Sequence, residues 1–507
     1  MTIAWPRWRA GMDWGDEGFL AYGAVRVMDG QIPNRDFVSL QPPLSFYTAA
    51  AMFRMFGTSV VSLRVMGVAM YLAIPLLIYG ISRTVTSSLV AAAAAIPATV
   101  IGLPYFYFAP LAVWQGVTAS LVAIFLFLQA ILRTSRWIGF VAGVFTAASL
   151  LLRHDQGLYT FLSIVALWLA LKRVNIRPGN AAKTSALIAP WLTGLAIIIL
   201  PAVAYWWVAG ALPAMFGQLI VFPLTVYGRT SSLPFHYFNT RLPISRNAVT
   251  ALYFLPIVTE LVALVWVVRR LVSRRVSLND AIVIFFLVWT GLFYFQVLTR
   301  SDVFHLMVAL PPFFVLAACV WEHFMERIKT APAGSAPNNK APRFVRSVLS
   351  VLAATGLVYF LWLTASVCLP NVTRASEILD LNRGGVRVEG ARAVAHVIRT
   401  IQQNVPADNS ILSLPYQPMF YFLTERRNPT RWNYLWPGDQ TAHDHQILIA
   451  EAKRDPPAAV LITNEPGMAE YAPLILDYVH AEFWPAGKSG ELTVYLPRNK
   501  LGEAVPP

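Results

Sequence analysis

The sequence predicts a mainly α-helical fold class: a polytopic transmembrane helical bundle followed by a C-terminal α/β domain outside the membrane. Apolar residues make up 56% of the 507 residues, where roughly 45–50% is usual for soluble domains, and charged residues make up only 13%, where roughly 25% is usual. The mean hydropathy is +0.54. A soluble core of this size could not enclose so many apolar side chains, so the composition indicates an integral membrane protein.

The transmembrane bundle is predicted over residues 60–369, where apolar stretches recur with close to the roughly 20 residues that cross a bilayer. The fourth and fifth stretches are short and are separated by Arg153–Gly157, so we expect a hairpin that turns within the outer leaflet. About ten spans are expected, at Val60–Ser82, Ser87–Phe108, Leu111–Leu132, Trp137–Leu152, Leu158–Leu171, Ser185–Ala209, Val249–Val268, Ala281–Leu298, Phe304–Trp321 and Phe344–Leu369.

The orientation of the bundle follows from the connections that carry Lys and Arg, because such loops stay in the cytoplasm. These basic residues are Arg133 and Arg136, then Lys172, Arg173, Arg177 and Lys183, then Arg269, Arg270, Arg274 and Arg275, then Arg327, Lys329, Lys340, Arg343 and Arg346. The external face then receives residues 1–59, the Arg153–Gly157 turn, the Gly210–Arg246 loop, the Arg300–Asp302 corner and the tail. We therefore expect a plasma (inner) membrane protein with its site on the external or periplasmic side.

The net charge of +14 could instead indicate a protein that binds nucleic acid. Up to Pro370, 27 Lys and Arg stand against 11 Asp and Glu, a net +16, whereas the rest has 13 against 15, a net −2. The excess positive charge thus belongs to the membrane part and orients it. Membrane lipids are the expected partner, and nucleic acid is not.

The tail, residues 370–507, has ordinary charge density and alternates helix-like with strand-like runs. Helical periodicity is present at Val386–Asn404 and Gln440–Lys453, and β-type runs lie at Ser410–Leu414, Ala459–Thr463 and Glu491–Leu496. This order predicts a small α/β domain.

Acidic residues cluster near the start of the chain, in the external loop region predicted for residues 1–59. Five of the 11 that precede Pro370 lie there, namely Asp13, Asp16, Glu17, Asp29 and Asp36. An acid cluster beside a membrane cavity is what a site for proton abstraction or metal binding requires. The alternative is that these are ordinary solvated loop carboxylates.

The residues around these acids resemble a known family pattern. They are Asp16-Glu17-Gly18, Tyr22, Gly30, Pro33, Asp36-Phe37, Gln41-Pro42-Pro43-Leu44, Phe56-Gly57 and Ser62-Leu63-Arg64. This pattern resembles the first external loop of GT-C superfamily glycosyltransferases, in the branch of protein O-mannosyltransferases and lipid A aminoarabinose transferases. The resemblance implies transfer of a sugar from a polyprenyl-phosphate donor to a lipid, glycan or protein acceptor.

The resemblance also suggests residue roles. By its match to the motif, Asp16 is the expected catalytic base, which takes the proton of an acceptor hydroxyl as it attacks the anomeric carbon with inversion. Glu17 is expected to position the acceptor or a metal. Asp36 and Tyr22 are assigned to the acceptor loop, and Arg64 is expected to anchor its helix.

Three features depart from the family pattern. No continuous apolar span precedes the Asp-Glu pair. Gln41 stands where Lys is frequent in the aminoarabinose branch, so donor-phosphate neutralisation must come from elsewhere. Trp114-Gln115 stands where many relatives carry a second acidic residue. No cofactor is therefore assigned, and a divalent metal is left open.

Two groups supply candidate cations for the donor phosphate. Arg153-His154-Asp155 interrupts an apolar hairpin, and Arg300 lies with Asp302 and His305 at an external corner. Charged groups at such depth are costly unless they face a cavity and have partners. We expect Arg153 or Arg300 to bind the phosphate, each oriented by bidentate pairing with its Asp. The alternative in both cases is a structural ion pair between helices.

Two other functions fit the same composition. A transporter or flippase for a lipid-linked saccharide would also need many spans and buried charges, although no paired, broken helices in two related halves are evident. A catalytically inactive scaffold with the GT-C-like fold is the third reading. The position of the acid cluster in a loop favours the glycosyltransferase.

Overall fold

The computed structural model describes residues 7–173, 186–237, 244–273, 276–330 and 377–500, with isolated positions between 351 and 362. Helices dominate the first part of the chain. In chain order they are α1 (Asp16–Met28), α2 (Leu44–Phe56), α3 (Val60–Ser82), α4 (Ser88–Ala95), α5 (Ala112–Arg133), α6 (Arg136–Leu152), α7 (His154–Arg173), α8 (Ile188–Val208), α9 (Leu212–Phe216), α10 (Gly228–Thr230), α11 (Ile244–Val272), α12 (Leu278–Thr299) and α13 (Val303–Thr330).

Six helices within these ranges are long and apolar enough to cross a membrane. The qualifying segments are Val60–Ser82, Ala112–Arg133, Ile188–Val208, Val249–Val272, Leu278–Thr299 and Val303–Glu326. They pack around a core of large apolar side chains that includes the fully buried Trp191 and Trp289. The protein is thus a multi-pass membrane protein. The tenth predicted span, Phe344–Leu369, lies largely outside the described residues.

The second predicted span, Ser87–Phe108, is wrong in its length. Only α4 is α-helical there, and it passes into a 3₁₀ turn at Ile96–Thr99 before a series of turns that leads to α5. Proline explains the interruption, because Pro97, Pro104 and Pro110 lack the N–H that continues a helix. This segment therefore consists of a short α-helix followed by a 3₁₀ turn and irregular turns.

The short hairpin predicted after Trp137 is confirmed, but its turn is tighter than expected. α6 ends at Leu152 and α7 begins at His154, so Arg153 alone separates the two helices. A Cβ atom on Gly157 would lie 2.3 Å from the backbone nitrogen of Leu150. Glycine at this position therefore allows the two helices to approach closely, and this places Arg153 at the apex.

Two segments expected to be loops contain helices. Residues 1–59 include α1 and α2, which pack against each other at the acid-bearing end of the chain. The Gly210–Arg246 segment begins with α9, continues through π-helical turns at Gly217–Val221 and Pro223–Tyr227, and ends its helical part in α10.

The tail forms a four-stranded sheet covered by helices. Its strands and helices are β1 (Glu377–Ile378), β2 (Arg387–Val388), α14 (Ala391–Asn404), β3 (Ile411–Leu414), α15 (Met419–Thr424), α16 (Ala442–Arg454), β4 (Ala459–Ile462), α17 (Glu465–Tyr471), α18 (Pro473–Glu482), β5 (Phe483–Ser489) and β6 (Leu492–Pro497). The sheet order is β3-β4-β6-β5, with β3 and β4 parallel and the other pairs antiparallel. The predicted class, a helical membrane bundle with a C-terminal α/β domain, is confirmed.

The tail domain shares a hydrophobic core with α1 and α2. Phe53 of α2 stacks on Phe422 of the tail at 5.5 Å between ring centroids, and Tyr22 of α1 stacks on Tyr421 at 4.8 Å. A Cβ atom on Gly18 would lie 2.4 Å from the backbone nitrogen of Met419, so α1 directly touches the tail backbone. The acid-bearing helix is therefore held between the bundle and the tail.

Candidate functional site

Three of the five clustered acids, Asp13, Asp16 and Glu17, lie at the first turn of α1, and from here on the acid cluster means these three residues. The Oδ1 atom of Asp13 accepts hydrogen bonds from the backbone N–H groups of Gly15 at 2.9 Å and Asp16 at 3.0 Å. These N–H groups lie at the start of the helix, where no intrahelical acceptor exists and negative charge is favourable. Asp13 therefore fixes the backbone from which Asp16 and Glu17 project.

Glu17 lies inside the protein and forms an ion pair with Arg64 of α3. The Arg64 Nε and Nη2 atoms donate to the two carboxylate oxygens at 2.5 and 2.6 Å, and both side chains are 0% exposed. Arg64 also donates to the carbonyl of Gly11 at 3.1 Å. Both Glu17 carboxylate oxygens thus accept hydrogen bonds from Arg64, and the expectation that Glu17 positions an acceptor or a metal stays a prediction. Arg64 joins α3 to α1, in the anchoring position expected of it.

Asp16, like Asp13, is partly buried. Its Oδ1 atom accepts a hydrogen bond from the hydroxyl of Tyr416 in the tail domain. In the described part of the chain its Oδ2 atom accepts no hydrogen bond. Burial, reinforced by the neighbouring charges of Asp16 and Glu17, raises the pKa of Asp13 to about 7. The Asp13 carboxyl group therefore titrates close to neutral pH.

The Arg300 corner lies between α12 and α13. Arg300 donates through Nε to Asp302 Oδ2 at 2.8 Å and through Nη1 to the Tyr227 hydroxyl at 3.3 Å. His305 donates its backbone N–H to Asp302 Oδ1 at 2.9 Å, and its Nδ1 atom lies 2.7 Å from the same oxygen. Hydrogen bonds from His305 and Arg300 to the charged carboxylate outweigh its burial and lower the pKa of Asp302 to about 2. Arg300 and Asp302 thus form a charged pair at this corner without any bound ligand.

The Arg153 turn has the same arrangement. Arg153 donates through Nε to Asp155 Oδ1 at 3.0 Å, and the backbone N–H of Gln156 donates to that oxygen at 2.9 Å. Next to this turn, the Nδ1 atom of His154 and both amide atoms of the Gln156 side chain are buried and have no hydrogen-bond partner among the described residues. The turn thus combines a charged pair with unsatisfied polar atoms.

The predicted bidentate pairing of these arginines is wrong. Each of Arg153 and Arg300 gives one Nε–H hydrogen bond to its aspartate. The terminal nitrogens of Arg153 and Nη2 of Arg300 donate to no acceptor in the described ranges. A single bond through Nε orients each guanidinium and leaves both terminal nitrogens of Arg153 and Nη2 of Arg300 available to a phosphate, while Nη1 of Arg300 donates to Tyr227.

Three aromatic residues of the tail connect the acid cluster with the Arg300 corner, and we call Tyr416, Tyr434 and Trp436 the aromatic bridge. Tyr416 meets Tyr434 and Trp436 edge to face, with centroid distances of 5.1 and 5.4 Å. The guanidinium of Arg300 lies 6.0 Å from the centre of the Trp436 ring. The tail thereby touches Asp16 at one end of the bridge and Arg300 at the other.

The sequence did not single out the aromatic bridge. Tyr416 lies between Pro415 and Pro418, and Trp436 precedes Pro437. The available signal for these residues was local: aromatic side chains next to prolines, in turns of a domain that was expected beside the site. Tyr227 lies in the Gly210–Arg246 segment, in which the sequence assigned no side chain a role. Only the structure connects this residue to Arg300.

Tyr22 and Asp36 were expected in an acceptor loop. The Tyr22 hydroxyl accepts a hydrogen bond from the backbone N–H of Asn428 at 2.6 Å, and the ring is buried against the tail. Its assignment to the acceptor loop stays a prediction. Asp36 receives two hydrogen bonds of 2.8 Å from Arg35, which lower its pKa. It also accepts the Ile32 N–H at 2.7 Å. Asp36 is partly exposed at the edge of a polar cavity of about 500 Å³.

Gln41 and Gln115, the two glutamines that depart from the family pattern, are both surrounded by other residues of the protein. Gln115 accepts from the Thr48 hydroxyl at 2.6 Å and donates to the Pro110 carbonyl at 2.7 Å. The Oε1 atom of Gln41 is buried without a hydrogen-bond partner in the described residues. Neither side chain supplies charge to a phosphate.

No protein-family model matches this sequence, and no curated protein matches it. Solved structures do match. ArnT from Cupriavidus metallidurans bound to undecaprenyl phosphate superposes with a TM-score of 0.58 at 13% identity, over 100% of this chain and 98% of that chain. The oligosaccharyltransferase AglB from Archaeoglobus fulgidus, in complex with an inhibitory peptide and a dolichol-phosphate, gives 0.56 at 12% identity, over 99% and 74%. The oligosaccharyltransferase from Archaeoglobus fulgidus in complex with Zn and sulfate gives 0.50 at 12% identity, over 96% and 70%.

The class defined by these findings is a multi-pass helical membrane protein whose α/β domain is docked onto the helix that carries its acids. Within that class, the fold is that of the GT-C glycosyltransferases, as the motif resemblance predicted. At 12 and 13% identity the similarity establishes the fold.

The acid cluster does not fit a divalent cation. Glu17 is paired with Arg64, and the amide of Gln115 is hydrogen-bonded to Thr48 and to the Pro110 carbonyl. Across the described ranges, no group of three or more His, Cys, Asp or Glu side chains is arranged to bind a metal ion. No step of the chemistry below is therefore routed through a metal.

Proposed function

We propose that the chain is a glycosyltransferase that transfers a sugar from a polyprenyl-phosphate-linked donor to an acceptor at the external face of the plasma membrane. The observation that carries the proposal is the placement of one half-exposed carboxylate, Asp16, and one guanidinium, Arg300, at the two ends of the aromatic bridge. The GT-C fold supports the same reaction class. Undecaprenyl phosphate in the ArnT structure supports the donor class.

In the proposed reaction the hydroxyl of the acceptor gives its proton to Asp16 Oδ2 and attacks the anomeric carbon of the donor sugar. The new bond joins the acceptor oxygen to that carbon, and the bond between the carbon and the phosphate oxygen breaks. The polyprenyl phosphate leaves with the electron pair. A single displacement of this kind inverts the anomeric centre. The acceptor is a lipid, a glycan or a protein.

Arg300 stabilises the charge that develops on the leaving phosphate. Its guanidinium is held by Asp302 and Tyr227 while Nη2 remains available. A preorganised cation contributes more than a mobile one, because no reorganisation is needed as the charge appears. Arg153 offers a second guanidinium with free terminal nitrogens at the apex of the α6–α7 turn. We assign Arg300 the phosphate and Arg153 the supporting role.

The test is transfer in proteoliposomes from radiolabelled undecaprenyl-phosphate mannose, arabinose and aminoarabinose, with a membrane extract of the source cells as acceptor. We expect Asp16→Asn to lower transfer at least about 100-fold, because general base catalysis typically contributes 10²–10⁴-fold. Asp29→Asn is the matched control, since Asp29 follows the other end of α1. It should transfer sugar at the wild-type rate.

Three results would contradict the proposal. Undiminished transfer by Asp16→Asn would remove Asp16 as the base. Labelled lipid that crosses the bilayer without release of its sugar would indicate a flippase. No release from any donor by the wild-type protein would favour an inactive scaffold with this fold. The configuration of the product, read by NMR, decides whether the anomeric centre inverts.

The phosphate assignment has its own test. Arg300→Ala should raise the donor KM about tenfold or more, whereas Arg300→Lys should retain part of the affinity because the charge remains but the planar geometry is lost. Arg153→Ala should raise KM less. Binding of undecaprenyl phosphate alone should follow the same order. If neither substitution changes donor or undecaprenyl-phosphate binding, the phosphate lies elsewhere.

A further inference from the structure

The hydrogen bond between Tyr416 and Asp16 joins the tail domain to the candidate base across a separation of 400 residues. Asp16 stands in the first turn of α1, and Tyr416 stands in the loop between β3 and α15. The bond involves Asp16 Oδ1 and leaves Oδ2 without a hydrogen bond in the described part of the chain. A contact that occupies half of a catalytic carboxylate is positioned to control its orientation.

Local packing holds Tyr416 at this point. A Cβ atom on Gly15 would lie 2.1 Å from the Tyr416 ring, so only glycine lets the ring approach the start of α1. The backbone N–H of Leu435 donates to the Pro415 carbonyl at 2.7 Å, which ties the loop of Tyr416 to the loop of Tyr434 and Trp436.

The loops of the aromatic bridge also contact two helices outside the tail, α1 and α10. Tyr434 meets Phe19 of α1 edge to face at 5.4 Å. At the other end, Thr230 of α10 donates to Asp439 at 3.0 Å, three residues beyond Trp436. The Tyr416 hydroxyl is therefore held by contacts on both sides and has little freedom to leave Asp16.

We propose that Tyr416 is a positioning residue, through which the tail domain orients the carboxylate of Asp16 for proton transfer. The inference rests on the proposed function. A carboxylate that is free to rotate presents either oxygen in many directions. With Oδ1 held by the tyrosine hydroxyl, Oδ2 faces the acceptor in one direction, and catalytic groups gain rate from such fixed geometry.

Because the same bridge ends at Arg300, the docked tail also sets the separation between the base and the phosphate-binding cation. The two groups otherwise belong to α1 and to the α12–α13 corner. The tail is then part of the catalytic unit, and its docking matters for rate as well as for stability.

The experiment compares Tyr416→Phe with the wild-type protein in the proteoliposome transfer assay. The substitution removes the hydroxyl and retains the ring that packs on Tyr434 and Trp436. We expect kcat to fall about tenfold, while the donor KM changes less than about twofold and the melting temperature is unchanged; the fold-change corresponds to about 1.4 kcal/mol. Tyr478→Phe is the matched control, because Tyr478 packs on Phe483 in the separate core of the tail. Its kcat should be that of the wild type.

Gly15→Ala is a second variant that leaves both functional groups in place. The added methyl group displaces the Tyr416 ring from α1. It should therefore lower kcat at least as much as Tyr416→Phe. Combining the two substitutions should lower kcat by less than the product of their separate effects, because both break the same contact.

The outcomes separate this inference from the proposed function. If Asp16→Asn is inactive but Tyr416→Phe keeps the wild-type kcat, Tyr416 is not a positioning residue and the base assignment stands. A Tyr416→Phe protein that loses melting temperature or donor affinity instead of kcat would show a structural role and overturn the inference. Full activity of Asp16→Asn would overturn the proposed base and with it the role of Tyr416.

Discussion

Two arginine–carboxylate pairs on the same side of the molecule differ in burial and in geometry. Arg64 and Glu17 are both 0% exposed and are joined by two hydrogen bonds. Arg300 and Asp302 are about one quarter exposed, at 24 and 27%, and share one hydrogen bond through Nε. The first pair uses both carboxylate oxygens within the protein, whereas the second leaves a nitrogen of the arginine free.

This difference separates a structural pair from one that can bind a ligand. A buried ion pair gains little net stability, because desolvation offsets the attraction, but losing one partner leaves an uncompensated charge inside the protein. A partly exposed pair retains hydration and can exchange a contact with solvent for one with a ligand. In this comparison, burial distinguishes the two pairs more clearly than their distance from the sequence motif does.

The largest effect is expected for the buried pair. Glu17→Gln leaves Arg64 unpaired in the interior and should cost about 3–5 kcal/mol, enough to lower the yield of folded protein sharply. The measurement is size-exclusion chromatography and thermal melting in detergent. Glu17→Gln combined with Arg64→Met should recover much of the loss because no buried charge then remains. If Glu17→Gln folds normally and only transfer activity is lost, Glu17 belongs to the reaction and the comparison is wrong.

An intermediate effect is expected for Asp302→Asn. The carboxylate orients Arg300 and accepts from His305, so its loss should raise the donor KM several-fold and lower the melting temperature slightly. Because its pKa is lowered to about 2 from an ordinary value near 3.8, its stabilising contribution is complete above about pH 4 and is lost as the pH falls towards 2.

The melting-temperature difference between wild type and Asp302→Asn should accordingly be constant from pH 8 to pH 5. It should shrink below pH 4. A difference that changes instead between pH 6 and pH 7 would mean that a group other than Asp302 controls the corner.

The smallest effect is expected for the exposed pair of Arg35 and Asp36. The two side chains are 41 and 29% exposed, and solvent screening reduces the value of such a pair. Asp36→Asn should therefore change the melting temperature by no more than the error of the measurement at neutral pH. A loss comparable with that of Glu17→Gln would mean that exposure is a poor guide to the role of these pairs.

Much of the fold could be predicted because long apolar runs and basic loops are patterns of neighbouring residues, which can be read along the sequence. Val60–Ser82 was predicted with the bounds that the structure has. The strands at 411–414 and 459–462 lie within the β-type runs that the sequence of the tail predicted. The prediction was wrong where proline interrupted an apolar run at Pro97, since hydropathy alone does not detect a missing N–H.

The candidate site was predicted only in part. Asp16, Arg153 and Arg300 were recognised as unusual charges in an apolar chain, and the structure places each beside the partners described above. The burial of Glu17 and the docking of Tyr22 on the tail could not be read from sequence. Both depend on contacts between residues far apart in the chain, such as Arg64 with Glu17 and Tyr22 with Asn428.

The amino-acid sequence by itself determined that this protein spans a membrane with helices and carries an acid motif followed by an α/β tail. Hydropathy, charge and periodicity are properties of neighbouring residues, so they can be read along the chain. Only the tertiary structure decided that Tyr416 lies on Asp16 and that Trp436 lies under Arg300, because docking of the tail onto α1 brings together residues that are hundreds of positions apart. The site is completed by that docking, which no local pattern encodes.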